Sequence, residues 1–180
     1  MLRLEYPEVK EVNGTMDDAC DALELLGYTY LDSGRHARVF AKDDHVVKIG
    51  LVNEDNYFNY VRMIGLCSAN PHLPHILSVD VYDMHPDTPE SAPYYIVKME
   101  RLKVCFDTYD RQNWDEVLGI DSPRSLERNM IDFTTPRTDA MIEVKKILTH
   151  LYQCYDARGD LWAANVMWRG ITAVFTDPVV

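Results

Sequence analysis

The sequence Asp160-Leu-Trp-Ala-Ala-Asn165-Val-Met167 is followed closely by Ile171-Thr-Ala-Val-Phe175-Thr-Asp177-Pro178. An Asp, an Asn five residues later and a second Asp twelve residues beyond that frame a tight loop and a short hairpin. This spacing lets three polar side chains converge on one point, where their oxygens suit Mg²⁺ that is shared with substrate phosphates. The alternative is a helix-capping Asp, a turn Asn and a strand-end Asp that share only a region of the chain.

The composition fits one compact domain or two small lobes. The chain has 180 residues, of which 47% are hydrophobic, and its formal net charge is −11. Because no stripe of Lys and Arg offsets this charge, we expect no direct binding to nucleic acid. A nucleotide would approach against the overall negative field, so a nucleotide site needs local cations and a metal.

The cysteines and the apolar runs bear on the compartment. Cys20, Cys67, Cys105 and Cys154 lie far apart and form no C-x-x-C pair. This pattern is typical of reduced thiols in a cytoplasm and does not predict a zinc site. The N-terminal residues lack the apolar core of a signal peptide, and no apolar run approaches the length of a membrane span. We therefore expect a cytoplasmic protein without membrane contact.

Three helices are predicted along the chain. The first begins with an N-cap at Thr15 and stops at Gly27; the second is capped by Asn53; the third covers 138–155. The apolar stripe of the first helix comprises Ala19, Ala22, Leu23, Leu25 and Leu26. The third helix leads the chain directly to the loop that contains Asp160.

Strand patterns occupy the remaining apolar segments before the third helix. They lie at 28–31, 38–41 and 46–49, with two more before Tyr82 and across Tyr94–Leu102. The first three are separated by small-residue and Asp-rich turns, which predicts antiparallel pairing. The strand at 46–49 contains Lys48 between β-branched residues, and its simplest interpretation is an exposed lysine on an alternating strand.

In order along the chain, these features resemble the protein-kinase-like fold over residues 31–179. More narrowly, Val46-Val-Lys-Ile-Gly50, the Asp160–Met167 stretch and Phe175-Thr-Asp-Pro-Val179 resemble the early serine/threonine protein kinases of T-odd podophages (autographiviruses). The resemblance implies an α+β fold in a single kinase-like domain, 1–180. Its first lobe, about 1–102, would be an antiparallel sheet with helices, and 103–180 would be a truncated, mostly helical lobe.

The resemblance also implies a role for each residue of the phosphoryl-transfer site. Lys48 would anchor the α- and β-phosphates of ATP, and Asp160 would accept the proton of the acceptor hydroxyl. Asn165 and Asp177 would hold Mg²⁺. Such kinases act on protein hydroxyls, so the expected partners are host protein substrates.

The nucleotide would be enclosed by further residues that the resemblance selects: Gly34, Val39, Met99, Glu100 and Leu102. In such an arrangement the glycine turn covers the phosphates and the backbone at 100–102 hydrogen-bonds adenine. Glu54, or else Asp55, would pair with Lys48 from the start of the second helix. Acids are favoured at a helix start by the helix dipole as well, so an ordinary dipole-stabilising pair is an equal alternative.

Two functions are compatible with this sequence. The first is an ATP-dependent serine/threonine kinase that phosphorylates host proteins in the bacterial cytoplasm during infection. The second is a catalytically weak, kinase-like acidic protein that binds and inhibits a host enzyme or defence protein. Retention of Lys48, Asp160, Asn165 and Asp177 favours the first. Trp162 stands where such kinases keep a lysine, and this favours the second, as does the truncated second lobe.

Overall fold

The computed structural model describes residues 9–11, 14–34, 36–54, 56–65, 69–83, 92–104, 138–155, 157 and 165–179. The chain is an α+β protein that divides into two compact units. The first unit comprises Met1–Arg62 and His75–Arg101, and the second comprises Met63–Pro74 and Leu102–Val180. None of the helices in the described ranges combines the length and the apolarity that crossing a bilayer requires.

The first unit is built on a six-stranded sheet. Its strands are β1 Val9–Glu11, β2 Thr29–Ser33, β3 Ala37–Lys42, β4 His45–Leu51, β5 Ile76–Asp83 and β6 Tyr94–Glu100. Their spatial order is β1-β5-β6-β4-β3-β2; β1 runs parallel to β5, and all other neighbours are antiparallel. The antiparallel strands predicted around Lys48 are therefore confirmed, as is the interior position of the strand that ends near Leu102.

Close contact between β4 and β6 depends on one glycine. Gly50 of β4 lies opposite Tyr95 of β6, whose side chain is fully buried. A Cβ atom on residue 50 would lie 2.7 Å from Tyr95 Cζ and 2.9 Å from Cε1, well inside normal contact distance. The Phe58 ring stacks on the Tyr95 ring with their centroids 5.6 Å apart. The tyrosine ring thus occupies the space that a larger residue at position 50 would need.

The helices of the described chain are α1 Met16–Leu25, α2 Tyr57–Ile64 and α3 Asp139–Cys154. The predicted N-cap of α1 is confirmed: Asp18 N–H donates to Thr15 Oγ1 at 3.1 Å, and Thr15 N–H donates to Asp18 Oδ2 at 2.7 Å. Hydrogen bonds from Thr15 lower the pKa of the Asp18 carboxyl. The apolar stripe is narrower than predicted: Cys20 packs into the core, whereas Leu25 and Leu26 at the helix end are exposed.

The second helix begins later than predicted. Asn53 was expected to cap it, but residues 52–54 form a turn and α2 starts at Tyr57. Hydrogen bonds explain the delay, because Val52 N–H donates to Pro93 O at 2.9 Å and Glu54 N–H donates to Leu51 O at 3.4 Å. The predicted apolar face is confirmed, with at most 1% exposure for Tyr57, Phe58, Val61 and Ile64.

The second unit combines α3 with a small sheet. The sheet has the order β7-β8-β9 and consists of β7 Lys103–Val104, β8 Val166–Arg169 and β9 Thr172–Phe175. The predicted helix at 138–155 is confirmed, and Thr138 Oγ1 caps it by accepting a hydrogen bond from Met141 N–H at 3.2 Å. Its buried residues are Met141, Val144, Ile147, Leu148 and Leu151.

Residues 69–74 attach both parts of the second unit to each other. Asn70 is buried, and its side-chain amide donates to Ala140 O at 2.8 Å, near the start of α3. Phe175 N–H at the end of β9 donates to His72 O at 2.9 Å. Satisfied buried polar groups of this kind hold a loop in one conformation. The hairpin of β8 and β9 is therefore anchored at its open end.

Candidate functional site

Lys48 lies on an interior strand of the sheet and is buried. The interpretation of Lys48 as an exposed lysine on an alternating strand is therefore wrong. Lys48 sits in β4 opposite Val39 of β3 on one side and Val97 of β6 on the other. Its exposed fraction is 7%. Lysine is rarely buried to this degree, because taking an ammonium out of water costs free energy that other contacts must offset. Burial here therefore distinguishes Lys48 from an ordinary strand lysine.

The ammonium of Lys48 rests on an aromatic face. Its Nζ lies 3.6 Å from the centroid of the Tyr57 ring, well within the range of a cation–π contact. Tyr57 is itself 1% exposed, and its hydroxyl donates to Met99 Sδ at 3.4 Å. Sequence reasoning treated Tyr57 only as a core residue of α2. The one sign of this contact in the sequence is an aromatic residue nine positions after a lysine in an apolar strand. The same pattern fits an ordinary core residue equally well.

Glu54 has a different environment from the one predicted. It lies in the turn that precedes α2, is exposed, and contacts His36 Nδ1 through Oε2 at 2.9 Å. The residue that was expected to bind Lys48 therefore ties this turn to the segment between β2 and β3. Asp55, the reserve for the same role, lies outside the described residues.

Gly34 and Val39 belong to the β2–β3 hairpin. Gly34 is exposed between the two strands, and its N–H donates to Ala37 O at 2.9 Å. This backbone N–H is therefore hydrogen-bonded within the turn. Val39 lies on β3, opposite Asp32 of β2 and next to Lys48 of β4. The strand register therefore places Val39 and Lys48 directly opposite each other on neighbouring strands.

The residues expected to contact adenine stand at the end of β6. Met99 is 5% exposed. Glu100 N–H donates to His75 O at 3.1 Å, and Arg101 N–H donates to Asp44 O at 2.9 Å. Two of the three backbone donors at 100–102 are therefore engaged within the first unit. The hydrogen bonds described between backbone groups include none from the N–H of Leu102.

Asn165 and Asp177 both lie at the open end of the β8–β9 hairpin, just before β8 and just after β9. The register pairs Val166 with Phe175, so Asn165 lies opposite Thr176. Thr176 donates to Asn165 O twice, through its N–H at 2.9 Å and through Oγ1 at 3.0 Å. The predicted hairpin is confirmed, and it brings Asn165 within one residue of the register position of Asp177. Both side chains are half-buried.

The donor chemistry of the hairpin end suits a hard cation. An amide oxygen from Asn165 and a carboxylate from Asp177 match Mg²⁺, which takes one or two carboxylates and completes its shell with phosphate and water oxygens. Within the described ranges, no group of three or more His, Cys, Asp or Glu side chains is placed to hold a metal ion. Asp160, together with Trp162, lies outside the described residues.

No protein-family model matches this chain, and no curated protein matches it either. The described chain thus offers two features for a functional site: the buried Lys48 on the Tyr57 ring, and the hairpin in which Thr176 hydrogen-bonds to Asn165.

Proposed function

We propose that this protein is an ATP-dependent serine/threonine protein kinase with a protein-kinase-like fold, which phosphorylates proteins of a bacterial host during phage infection. The observation that carries the proposal is the burial of Lys48 in an interior strand, at 7% exposure. A buried ammonium is costly to maintain, and it acts as a strong, poorly screened cation toward a phosphate that reaches it. In a chain with a net charge of −11, such a cation gives polyphosphate a local attraction.

The proposed roles are those that the resemblance to protein kinases implies for each side chain. Lys48 binds the α- and β-phosphates, while Asn165 and Asp177 supply oxygen ligands to Mg²⁺. A Mg²⁺ ion held by these two residues would supply positive charge to offset that of the phosphates. Asp160 orients the acceptor hydroxyl and takes its proton as the oxygen bonds to the γ-phosphorus and ADP leaves.

Adenine recognition falls to the end of β6 and the residue beyond it. With the N–H groups of Glu100 and Arg101 engaged, Leu102 supplies the backbone donor for the base. Met99, buried next to them, closes the apolar side of the base. Backbone donors recognise adenine without requiring particular side chains, which agrees with the ordinary composition of this stretch.

The proposal is tested by incubation with γ-labelled ATP, Mg²⁺ and proteins of a bacterial lysate. Wild type should transfer label to serine and threonine, and Asp160→Asn should transfer at least about a hundredfold less, since a positioned base contributes about 10² to 10⁴ in rate. Asp21→Asn, an exposed carboxylate on α1, is the matched control and should behave as wild type.

Equal transfer by Asp160→Asn and wild type would refute the assignment of the base. If the wild type transfers no label yet is stabilised by Mg-ATP, the kinase proposal fails. The catalytically weak, acidic host-binding protein then becomes the better explanation.

A further inference from the structure

The contact between Lys48 and Tyr57 is more specific than core packing requires. The ammonium lies 3.6 Å from the ring centroid, which places it directly against the π face. Both residues are buried, at 7% and 1% exposure, so water screens their attraction only weakly. Tyr57 is also the first residue of α2, so the helix presents this ring to β4 at a defined position.

The ring itself is held in place by its neighbours. Its centroid lies 5.9 Å from that of Tyr60 and 6.1 Å from that of Tyr95, and both pairs are tilted. The Tyr57 hydroxyl donates to Met99 Sδ at 3.4 Å. A ring held by these contacts has little freedom to rotate away from the ammonium. The Lys48 side chain, by contrast, has several rotatable bonds, so a contact is needed to fix the position of its ammonium group.

We infer that Tyr57 is a positioning residue for Lys48, the lysine that is proposed to bind phosphate. The functional consequence rests on the proposed kinase activity. The π face attracts the ammonium and so holds the end of the lysine side chain at one position, from which it can bind a phosphate.

The fate of Glu54 agrees with this assignment. The carboxylate that was expected to hold the lysine is exposed and contacts His36 at 2.9 Å instead. Tyr57, the first residue of α2, contacts the Lys48 ammonium with its ring. Its hydroxyl and its ring have separable roles, because the hydroxyl contacts Met99 and the ring contacts Lys48.

The contact is tested first by NMR on the full chain, with the Lys48 signal assigned by its loss in Lys48→Arg. Protons on Lys48 Cε should be shifted upfield in the wild type by the ring current of Tyr57. They should stay upfield in Tyr57→Phe and return to the ordinary lysine position in Tyr57→Leu. An unshifted Lys48 signal in the wild type would overturn the inference, whatever the variants do.

The positioning role is tested by Mg-ATP affinity in a series of nearly constant shape. Tyr57→Phe should bind within about threefold of wild type, because it loses only the hydroxyl. Replacement of Tyr57 by 3,4,5-trifluorophenylalanine weakens the π face and should reduce affinity about tenfold relative to Tyr57→Phe, on the scale of a desolvated cation–π contact. Tyr60→Phe, a buried tyrosine on the same helix, is the control and should bind as wild type does.

Equal affinities for the phenylalanine and trifluorophenylalanine proteins would refute a role for the π face. If wild type binds no Mg-ATP, the proposed function fails, while the upfield Lys48 signal still decides the contact with Tyr57. The two failures are therefore distinguishable.

Discussion

The strand that carries Lys48 and the hairpin that carries Asn165 and Asp177 hold their polar groups in opposite ways. Lys48 is buried at 7% exposure, with a strand on each side of β4 and an aromatic ring against its ammonium. Asn165 and Asp177 are half-buried at the ends of two four-residue strands. Their position depends on the backbone, through the two hydrogen bonds from Thr176 to Asn165 O.

Because of this difference, we expect the two regions to respond differently to mutation. A group embedded in the core is held by packing, so changes around it affect stability and ligand binding together. A half-buried group at a hairpin end lies outside the core, so we expect its replacement to affect the chemistry more than the stability of the fold. Three experiments separate these behaviours.

The largest effect is expected at the hairpin. Asp177→Ala should lower phosphoryl transfer about 10²- to 10³-fold, the range for loss of one group that stabilises developing charge. Its melting temperature should stay close to that of wild type, because a half-buried carboxylate contributes little to the core. The measurement is transfer of labelled phosphate in Mg²⁺ beside a thermal unfolding scan. Near-normal transfer by Asp177→Ala would show that this residue is not a metal ligand.

The next largest effect concerns Lys48. At about 100 times Kd, a ligand that binds only the native state stabilises it by about 2.7 kcal/mol. Lys48→Ala should remove most of the stabilisation by Mg-ATP, and Lys48→Met, which keeps most of the stem, should do the same while packing better. The shift in melting temperature with Mg-ATP, read for all three proteins, is the measurement. An unchanged shift in both variants would exclude Lys48 as the phosphate anchor.

The smallest effects are expected for two glycine-to-alanine substitutions, one in each region, and they concern the free energy of unfolding. Gly50→Ala should destabilise the protein by about 1–3 kcal/mol, since the new Cβ would clash with the buried Tyr95 ring. Gly170→Ala should cost about 1–2 kcal/mol for a different reason: φ is +63° in the β8–β9 turn, although nothing lies within 4 Å of the added carbon. Denaturant unfolding measures both.

Nucleotide binding then distinguishes the two glycine variants. Gly50→Ala disturbs β4, so it should weaken Mg-ATP binding together with stability. Gly170→Asn, which tolerates a positive φ, should recover part of the loss seen in Gly170→Ala. If Asn at position 170 is no better than Ala, backbone conformation is not the cause of that loss.

Features that depend on neighbours along the chain were predicted well. The Thr15 cap, the helix at 138–155, the strands around Lys48 and the hairpin after Asn165 all follow from short-range patterns of apolar periodicity, capping and turn residues. The α+β class, which the resemblance implied, is also confirmed. The predicted start of α2 was wrong because a hydrogen bond from Val52 N–H to Pro93 O, far along the chain, and one from Glu54 N–H to Leu51 O continue the turn past Asn53.

The environment of Lys48 depends instead on residues that the sequence separates. A lysine between β-branched residues is compatible with an exposed or a buried strand, and it is the packing on the face of β4, where the Tyr57 ring lies against the ammonium, that buries it. The approach of Tyr57 to its ammonium, and of His36 to Glu54, likewise requires elements that meet by folding. Local sequence specifies backbone conformation because nearby residues share the same turn or strand, whereas a buried charge acquires its partners through packing between distant segments.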